Sequence, residues 1–203
     1  MVTISYAVTA YNELEYLKVL LPFLVDNKRD EDEVVVRWDD SGPFEVWNYL
    51  STLDGIRLFK GPFKRDFASW KNSLNASCNR DYIYQIDADE MIDEYVMKLL
   101  PQLLDMNNVD LLAVPRINTV EGLTQEHINH WRWNVNEKGW VNFPDYQTRI
   151  YKNDESIQWQ GKVHEQIVGH KTFAALPTDK EWCIIHHKQI DRQERQNALY
   201  DTI

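Results

Sequence analysis

Glycine is scarce in this chain, seven residues in 203, and none falls in a GxGxxG or GxxxxGK[ST] pattern. Backbone loops that wrap a phosphate need such glycines so that the main chain can come close. Any phosphate bound here must therefore be held by side chains and a metal ion. Cysteine is scarcer still: Cys78 and Cys183 form no CxxC pair and imply no disulfide framework. No apolar run approaches the roughly 20 residues that span a bilayer. Val2 to Thr9 enters a strand-like pattern at once, without the regions of a signal peptide. The expectation is a soluble, cytoplasmic protein with no transmembrane segment. Asn75-Ala76-Ser77 fits a glycosylation sequon but lies in a helical pattern, so it is set aside. Positive charge is also short. A formal net charge of −10 argues against general nucleic-acid binding, which needs a basic face. Much of the excess acid sits in Asp26 to Glu33, which reads as a solvated loop.

What is present is apolar residue in a strict rhythm. At 43% hydrophobic, the chain is long enough for one well-buried core and is read as a single domain, 1–203. Val2–Val8 reads as a first strand, followed by a helix capped at Asn12 with Leu14, Leu17, Leu20, Leu21 and Leu24 on one face and Pro22 as a kink or stop. Val34–Val36 is a second strand, 43–53 a helix, and 56–59 a short strand. Asp66 caps a third helix carrying Phe67, Trp70, Leu74 and Cys78, and Tyr82–Ile86 is the next strand. A helix over 93–106, with Pro101 as an irregularity, leads to a strand at 111–115. Beyond Pro115 the pattern weakens: 116–146 is polar and rich in tryptophan. Strands are expected at 147–152, 162–168 and 182–187, then a basic helix from Gln189. Strands alternating with helices give an α/β class with a largely parallel central sheet flanked by helices. Ligands in such sheets bind at the carboxyl ends of the strands.

One tetrapeptide carries most of the chemistry. Asp87-Ala88-Asp89-Glu90 directly follows the apolar strand Tyr82–Ile86. Side chains at i and i+2 of an extended segment share a face, so Asp87 and Asp89 are expected to converge on one cation. Hard oxygen donors select Mg²⁺ or Mn²⁺, ions that fill their shells with water and substrate phosphates. The alternative is an acidic turn that opens the following helix.

Five segments in order resemble the family 2 glycosyltransferases of GT-A fold, nearest the bacterial branch related to lipopolysaccharide core glucosyltransferases. They are Ala10-Tyr11-Asn12-Glu13, Trp38-Asp39-Asp40-Ser41-Gly42, Asp66 to Asn72, Asp87 to Glu90, and Gly161-Lys162-Val163-His164-Glu165, with Ile185-His186-His187 and Arg195-Gln196-Asn197 closing the series. The resemblance implies inverting transfer of a sugar from a nucleotide-diphosphate donor, a UDP-sugar for preference. It divides the domain into a donor half, 1–110, and an acceptor half, 111–203. On the family's pattern Asp39 or Asp40 contacts the base, and Ala10, Asn12 and Glu13 line the same pocket. Asp89 holds the metal with His186; Asp87 lies at the metal or the ribose, beside Ala88. Glu165 is the base for the acceptor hydroxyl, with Asp145 in reserve. Two departures stand out. Lys71-Asn72 replaces the family's usual Arg-Asn, and His186-His187-Lys188 replaces His-Tyr-Gly, which leaves His186 and His187 as rival metal ligands.

The chemistry needs charge stabilisation on the leaving diphosphate, a base, and an in-line nucleophile. Lys71 or the group Lys188, Arg192 and Arg195 could meet the diphosphate, although Arg192 is read first as part of a solvated helix face. His164-Glu165 does not begin a zinc-protease motif, since Val168 stands where the second histidine would be. Trp131, Trp133 and Trp140 either stack on the acceptor or fill core. The acceptor is a saccharide or lipid-linked glycan by default, with a protein or a modified DNA base still open. Two competing readings are a module that binds nucleotide-sugar or glycan without turnover, and a sugar nucleotidyltransferase. The latter should have a glycine-rich basic loop where this chain has Ala10 to Glu13.

Overall fold

The computed structural model describes residues 1–194 and shows a seven-stranded sheet at the centre of the protein. Four parallel strands lead it: β1 (Ile4–Ala10), β2 (Glu33–Asp39), β3 (Ile56–Gly61) and β4 (Tyr82–Asp87). Helices α1 (Leu14–Asn27), α2 (Phe44–Ser51) and α3 (Phe67–Asn75) connect them. Then come β5 (Glu90–Met91), α4 (Glu94–Asn107), β6 (Leu111–Val114), β7 (Arg116–Glu121), α5 (Gln125–Trp131) and β8 (Gln147–Lys152). The short strands β9 (Gln158–Gln160), β10 (Gln166–Val168) and β11 (Phe173–Ala175) precede β12 (Ile184–Gln189). The main sheet runs β11-β6-β8-β4-β1-β2-β3, with β8 antiparallel to both its neighbours.

The apolar runs form strands because the sheet is covered on both faces, where near-continuous hydrophobic sequence is stable. Ile4, Tyr6, Val8 and Ala10 face one core with Leu17, Leu20, Leu21 and Leu24 of α1 and Val96, Leu100 and Leu104 of α4. Ala7, Val35 and Ile83, one residue out of step, face a second core with Ala68 and Leu74 of α3 and Trp159 and Ile167. Each of the four α1 leucines is fully buried, and each contributes about 1.5–3 kcal/mol.

Several local expectations are corrected. Glu13, not Asn12, stands at the start of α1, and its carboxylate turns back to accept from Tyr11 N (2.8 Å) and Asn12 N (3.0 Å). Pro22 lies inside α1, which runs on to Asn27. The expected strand 162–168 shrinks to Gln166–Val168, because 161–165 is a loop with Gly161 and His164 at φ 99 and 54°. Asp26 to Glu33 is not simply solvated. Asp32 and Glu33 are buried, Asp32 accepting from Ile4 N and Arg29, Glu33 from Ser5 Oγ, Asn79 N and Arg57. Asp66 caps α3 as expected, accepting from Ser69 N. Among the described residues no helix is long and apolar enough to cross a membrane.

The site depends on two features of this topology. First, β1 lies between β2 and β4, and the connections leave it in opposite directions, so the carboxyl ends at Ala10, Asp39 and Asp87 border a crevice. Second, a small sheet, β5-β12-β7, stands beside that crevice. In it His186 pairs with Glu90 on one side and Asn118 on the other.

Candidate active site

A cleft of about 950 Å³ opens over the strand ends. Ala10, Asn12, Glu13, Asp39, Lys71, Asp87, Ala88, Asp89, Glu165 and His186 all line it. Asp40 is exposed and does not, so of that pair Asp39 is the one at the cleft. Asp39 Oδ1 is fixed by Ser41 N (3.1 Å), Ser41 Oγ (3.0 Å) and Phe63 N (3.2 Å). Arg195 lies outside the described residues.

The acidic tetrapeptide does not continue as a strand. β4 ends at Asp87, residues 88–89 turn, and Glu90 begins β5, its Oε2 accepting from Asp87 N at 3.0 Å. The carboxylates therefore part company. Asp87, expected on the metal, is committed to Arg149 Nη2 at 2.5 Å. Burial pushes its pKa up, but Arg149 and Lys71 outweigh that and hold the group well below the ordinary carboxylate range. Glu90 is completely buried between Arg149 (2.8 Å) and Arg116 (3.0 Å).

Asp89 takes the other direction. Its Oδ2 lies 3.3 Å from His186 Nε2 and 3.2 Å from Arg192 Nη2. Burial raises its pKa, while His186 and Arg192 draw it down and prevail. Arg192 also reaches Glu13 Oε1 at 3.2 Å and lies over the Tyr16 ring, so it is a wall of the cleft and not a solvated helix face. His186 is buried, with Nδ1 3.1 Å from Asn118 Oδ1. Its Nε2 is buried within ion-pair reach of Asp89 but has no hydrogen-bond partner. His187, on the opposite face of β12, is exposed and bonded to Thr119. Among the described residues no group of three or more His, Cys, Asp or Glu side chains stands ready to hold a metal ion alone. A buried imidazole nitrogen without a partner beside an ionised carboxylate does fit a hard divalent ion that takes its remaining ligands from a substrate.

Across the cleft, Glu165 Oε1 pairs with Lys71 Nζ at 2.6 Å, both side chains largely buried, and the ammonium lies 4.2 Å from the centre of the Trp159 ring. Lys162 O accepts from Phe67 N at 3.0 Å, which ties the Glu165 loop to the start of α3. Asn72, next to Lys71, clamps Trp159 by both backbone groups, through Nδ2 to O and N to Oδ1, each at 2.9 Å.

The model of the family described as Glycosyl transferase family 2 matches residues 5–187. The chain belongs to that family. In fold it is similar to S. aureus TarS 1–349 solved with UDP-GlcNAc, at TM-score 0.64 and 17% identity, over 93% of this chain and 59% of that one. The same fragment solved with UDP gives TM-score 0.63 and 16% identity over 98% and 64%. The chain thus spans about three-fifths of the first TarS fragment it matches. Among curated proteins no sequence matches it. The likeness is one of fold: a mostly parallel sheet flanked by helices, as in GT-A glycosyltransferases.

Within this family 2 domain, Asp145 is poorly placed as a reserve base. Its Oδ2 accepts from Arg116 Nη2 (2.7 Å), Arg116 Nε (3.0 Å) and Asn118 Nδ2 (2.8 Å), and its Oδ1 from Gln147 Nε2 (2.8 Å). Burial raises its pKa, but Arg116 and the amides bring it below the ordinary range, so it holds neighbours and takes up no proton near neutrality. Arg116 and Arg149 were not picked out from sequence. A signal existed: three carboxylates at the end of a buried strand require buried cations, and Arg149 interrupts the run Gln147–Lys152 at a position facing β4.

Proposed function

We propose that this family 2 protein transfers a sugar from a nucleotide-diphosphate donor, a UDP-sugar first among candidates, to an acceptor hydroxyl with inversion at the anomeric carbon. One observation carries the reading. The cleft at the switch point brings the carboxylates Asp39, Asp89 and Glu165 together with the cations Lys71, Lys188 and Arg192. Arg65, Arg116 and Arg149 line the same cleft, and an acidic protein that collects six basic side chains there has a site for an anion. The TarS fragment of similar fold was solved with UDP-GlcNAc and with UDP.

In this reading Asp39 meets the nucleoside at the end of β2. Asp89 and His186 would hold Mn²⁺ or Mg²⁺, which would supply Lewis-acid stabilisation to the diphosphate. Arg192 and Lys188 add positive charge on the same side. Lys188 is half-buried and close to Arg116, and both depress its pKa. Glu165 accepts the acceptor's hydroxyl proton. The hydroxyl oxygen forms its bond to the anomeric carbon as the bond from that carbon to the β-phosphate oxygen breaks, and the electron pair leaves with the nucleoside diphosphate. Lys71 holds the Glu165 carboxylate in place through their 2.6 Å ion pair. Arg149 anchors Asp87 so that the turn carrying Asp89 keeps its place. Residues 1–110 act as the donor half and 111–203 as the acceptor half. The motifs favour a cytoplasmic enzyme of the lipopolysaccharide core branch, with a saccharide or lipid-linked glycan as acceptor.

The test is calorimetric titration of UDP, GDP, CDP and dTDP into the protein with and without Mn²⁺, followed by donor turnover. The expected result is selective, Mn²⁺-dependent binding that Asp89→Ala abolishes. Glu165→Gln should keep binding and lose about 10²–10⁴-fold in turnover, the usual worth of a positioned base. Folded protein that binds none of the four nucleotides would overturn the reading. Binding without turnover would favour the module that has lost the chemistry.

A further inference from the structure

Beside the donor cleft lies a smaller cavity of about 190 Å³, and the two share Arg116, Lys188 and Gln193. Its far side is made by Trp133, Asn142 and Asp145. The tryptophan decides what the cavity is for. Five of the chain's eight tryptophans are built into the body of the fold: Trp38, Trp70 and Trp159 are buried, and Trp47 and Trp182 pack on the core. Trp131, Trp133 and Trp140 belong to neither core. Trp133 packs instead on Trp131, with ring centres 4.7 Å apart, and Trp131 stacks on His127 at 13° between planes. α5, which carries His127 and Trp131, buries none of its residues. An aromatic stack this far from the core has no structural debt to meet, and it backs the one indole that faces the cavity.

Lining the same cavity as the ring are polar groups with spare capacity. Lys188 has three donors, of which Gln193 Oε1 takes one at 2.8 Å. Asn142 is held in the left-handed region at φ 54°, its Oδ1 accepting from Asn134 N at 2.8 Å, which leaves the amide donors for another partner. Asp145 is immobilised by Arg116 and Asn118 on Oδ2 and by Gln147 on Oδ1, and Oδ1 has a second lone pair that could take a hydroxyl. A flat apolar face in one cavity with fixed donors and acceptors suits a molecule with an apolar C–H face and a rim of hydroxyls. That molecule is a pyranose.

We propose that this cavity is the acceptor subsite and takes a single pyranose ring of a saccharide acceptor, stacked on Trp133 and hydrogen-bonded by Asn142, Lys188 and Asp145. The assignment rests on the donor reading above for its role, but not for its binding. It also gives Arg116 a place between the two substrates, touching both cavities while pairing with Glu90 and Asp145.

The experiment uses saturation-transfer NMR on the whole protein with methyl glycosides of glucose, galactose, mannose and N-acetylglucosamine as probes. UDP affinity with Mn²⁺ is measured in parallel on the same samples. At least one glycoside should bind the wild type. Trp133→Ala should weaken it tenfold or more, Trp133→Phe should retain part of it, and both should leave UDP affinity within twofold. Trp140→Ala, whose ring packs on Phe143 outside the cavity, should change neither. A wild type that binds UDP but none of the four glycosides overturns the subsite, as does glycoside binding indifferent to Trp133→Ala. Trp133-dependent glycoside binding without UDP binding supports the subsite and sinks the donor reading instead.

Discussion

Replacing Arg149 by methionine tests the ion network under the cleft most directly. Methionine fills similar space without charge. The wild-type guanidinium is 4% exposed and serves both Asp87 Oδ2 and Glu90 Oε1. Removing one partner of a buried ion pair costs about 3–5 kcal/mol, because a charge is left without compensation. Here the lower end applies. Glu90 keeps Arg116 at 3.0 Å, and Asp87 retains a third of its side-chain exposure, so water screens part of its charge. The expected loss is about 3 kcal/mol, or roughly 6–12 °C in Tm at about 2–4 °C per kcal/mol for a chain of this size. The assay is urea denaturation of the wild type, Arg149→Met, Asp87→Asn and the double variant. If Arg149 exists to compensate Asp87, the double variant recovers at least about 1 kcal/mol relative to the additive sum, within the range seen for contacting pairs. An Arg149→Met protein within about 0.5 kcal/mol of wild type, or a strictly additive cycle, would refute the reasoning.

Other outcomes follow from groups away from the cleft. Burial pushes the Cys78 thiol up to about 12 and that of Cys183 up to about 11, so at pH 8 both are neutral and enclosed. Ellman's reagent should find no fast-reacting thiol in the native protein and both in guanidinium; a fast native thiol would contradict the packing. Glu33 has a lowered pKa, burial opposing and Ser5, Asn79 and Arg57 overcoming it. Its stabilising effect is therefore present above the unfolded value of about 4.3 and lost as pH falls through the lower folded value. Glu33→Gln should cost about 2 kcal/mol at pH 7 and progressively less as the pH falls below the unfolded value; a pH-independent difference would mean the charge is not what matters. Gly169 has φ +88°, and a Cβ added there would lie 1.8 Å from Ser156 O. Gly169→Ala should lose more than about 2 kcal/mol in urea denaturation, since the left-handed backbone and a main-chain clash add together; wild-type stability would show that the open end of the β9–β10 hairpin is not built this way.

The donor-side architecture was open to reading because its period is simple. Strands buried on both faces show as unbroken apolar runs, and α1 shows its leucines every three or four residues. Asp66 was identified as a cap because the signal is local, a carboxylate just ahead of a helical repeat. The failures share a different cause. Asp32, Glu33 and Arg192 read as solvated because sequence shows a charge without its partner, and the partners Ile4, Arg57 and Asp89 lie many residues away. Arg116 and Arg149 were missed for the same reason. β9, β10 and β11 have three residues each, too few for an alternation to show. The separation of Asp87 from Asp89 depends on a two-residue turn that the strand pattern running up to it conceals.

The small sheet β5-β12-β7 fixes when the cleft can come into being. Its middle strand is the last, so Glu90 and Met91 must wait for His186 and Ile185, some 95 residues later, before they have that neighbour. Pairings of such separation form slowly because the intervening loop must be closed first. On the ribosome the parallel strands β1 to β4 can assemble early, yet Glu90 then waits for its arginines, first Arg116 and then Arg149. A chain interrupted anywhere before β12 carries Asp89 and Glu90 without the strand that sets His186 beside them.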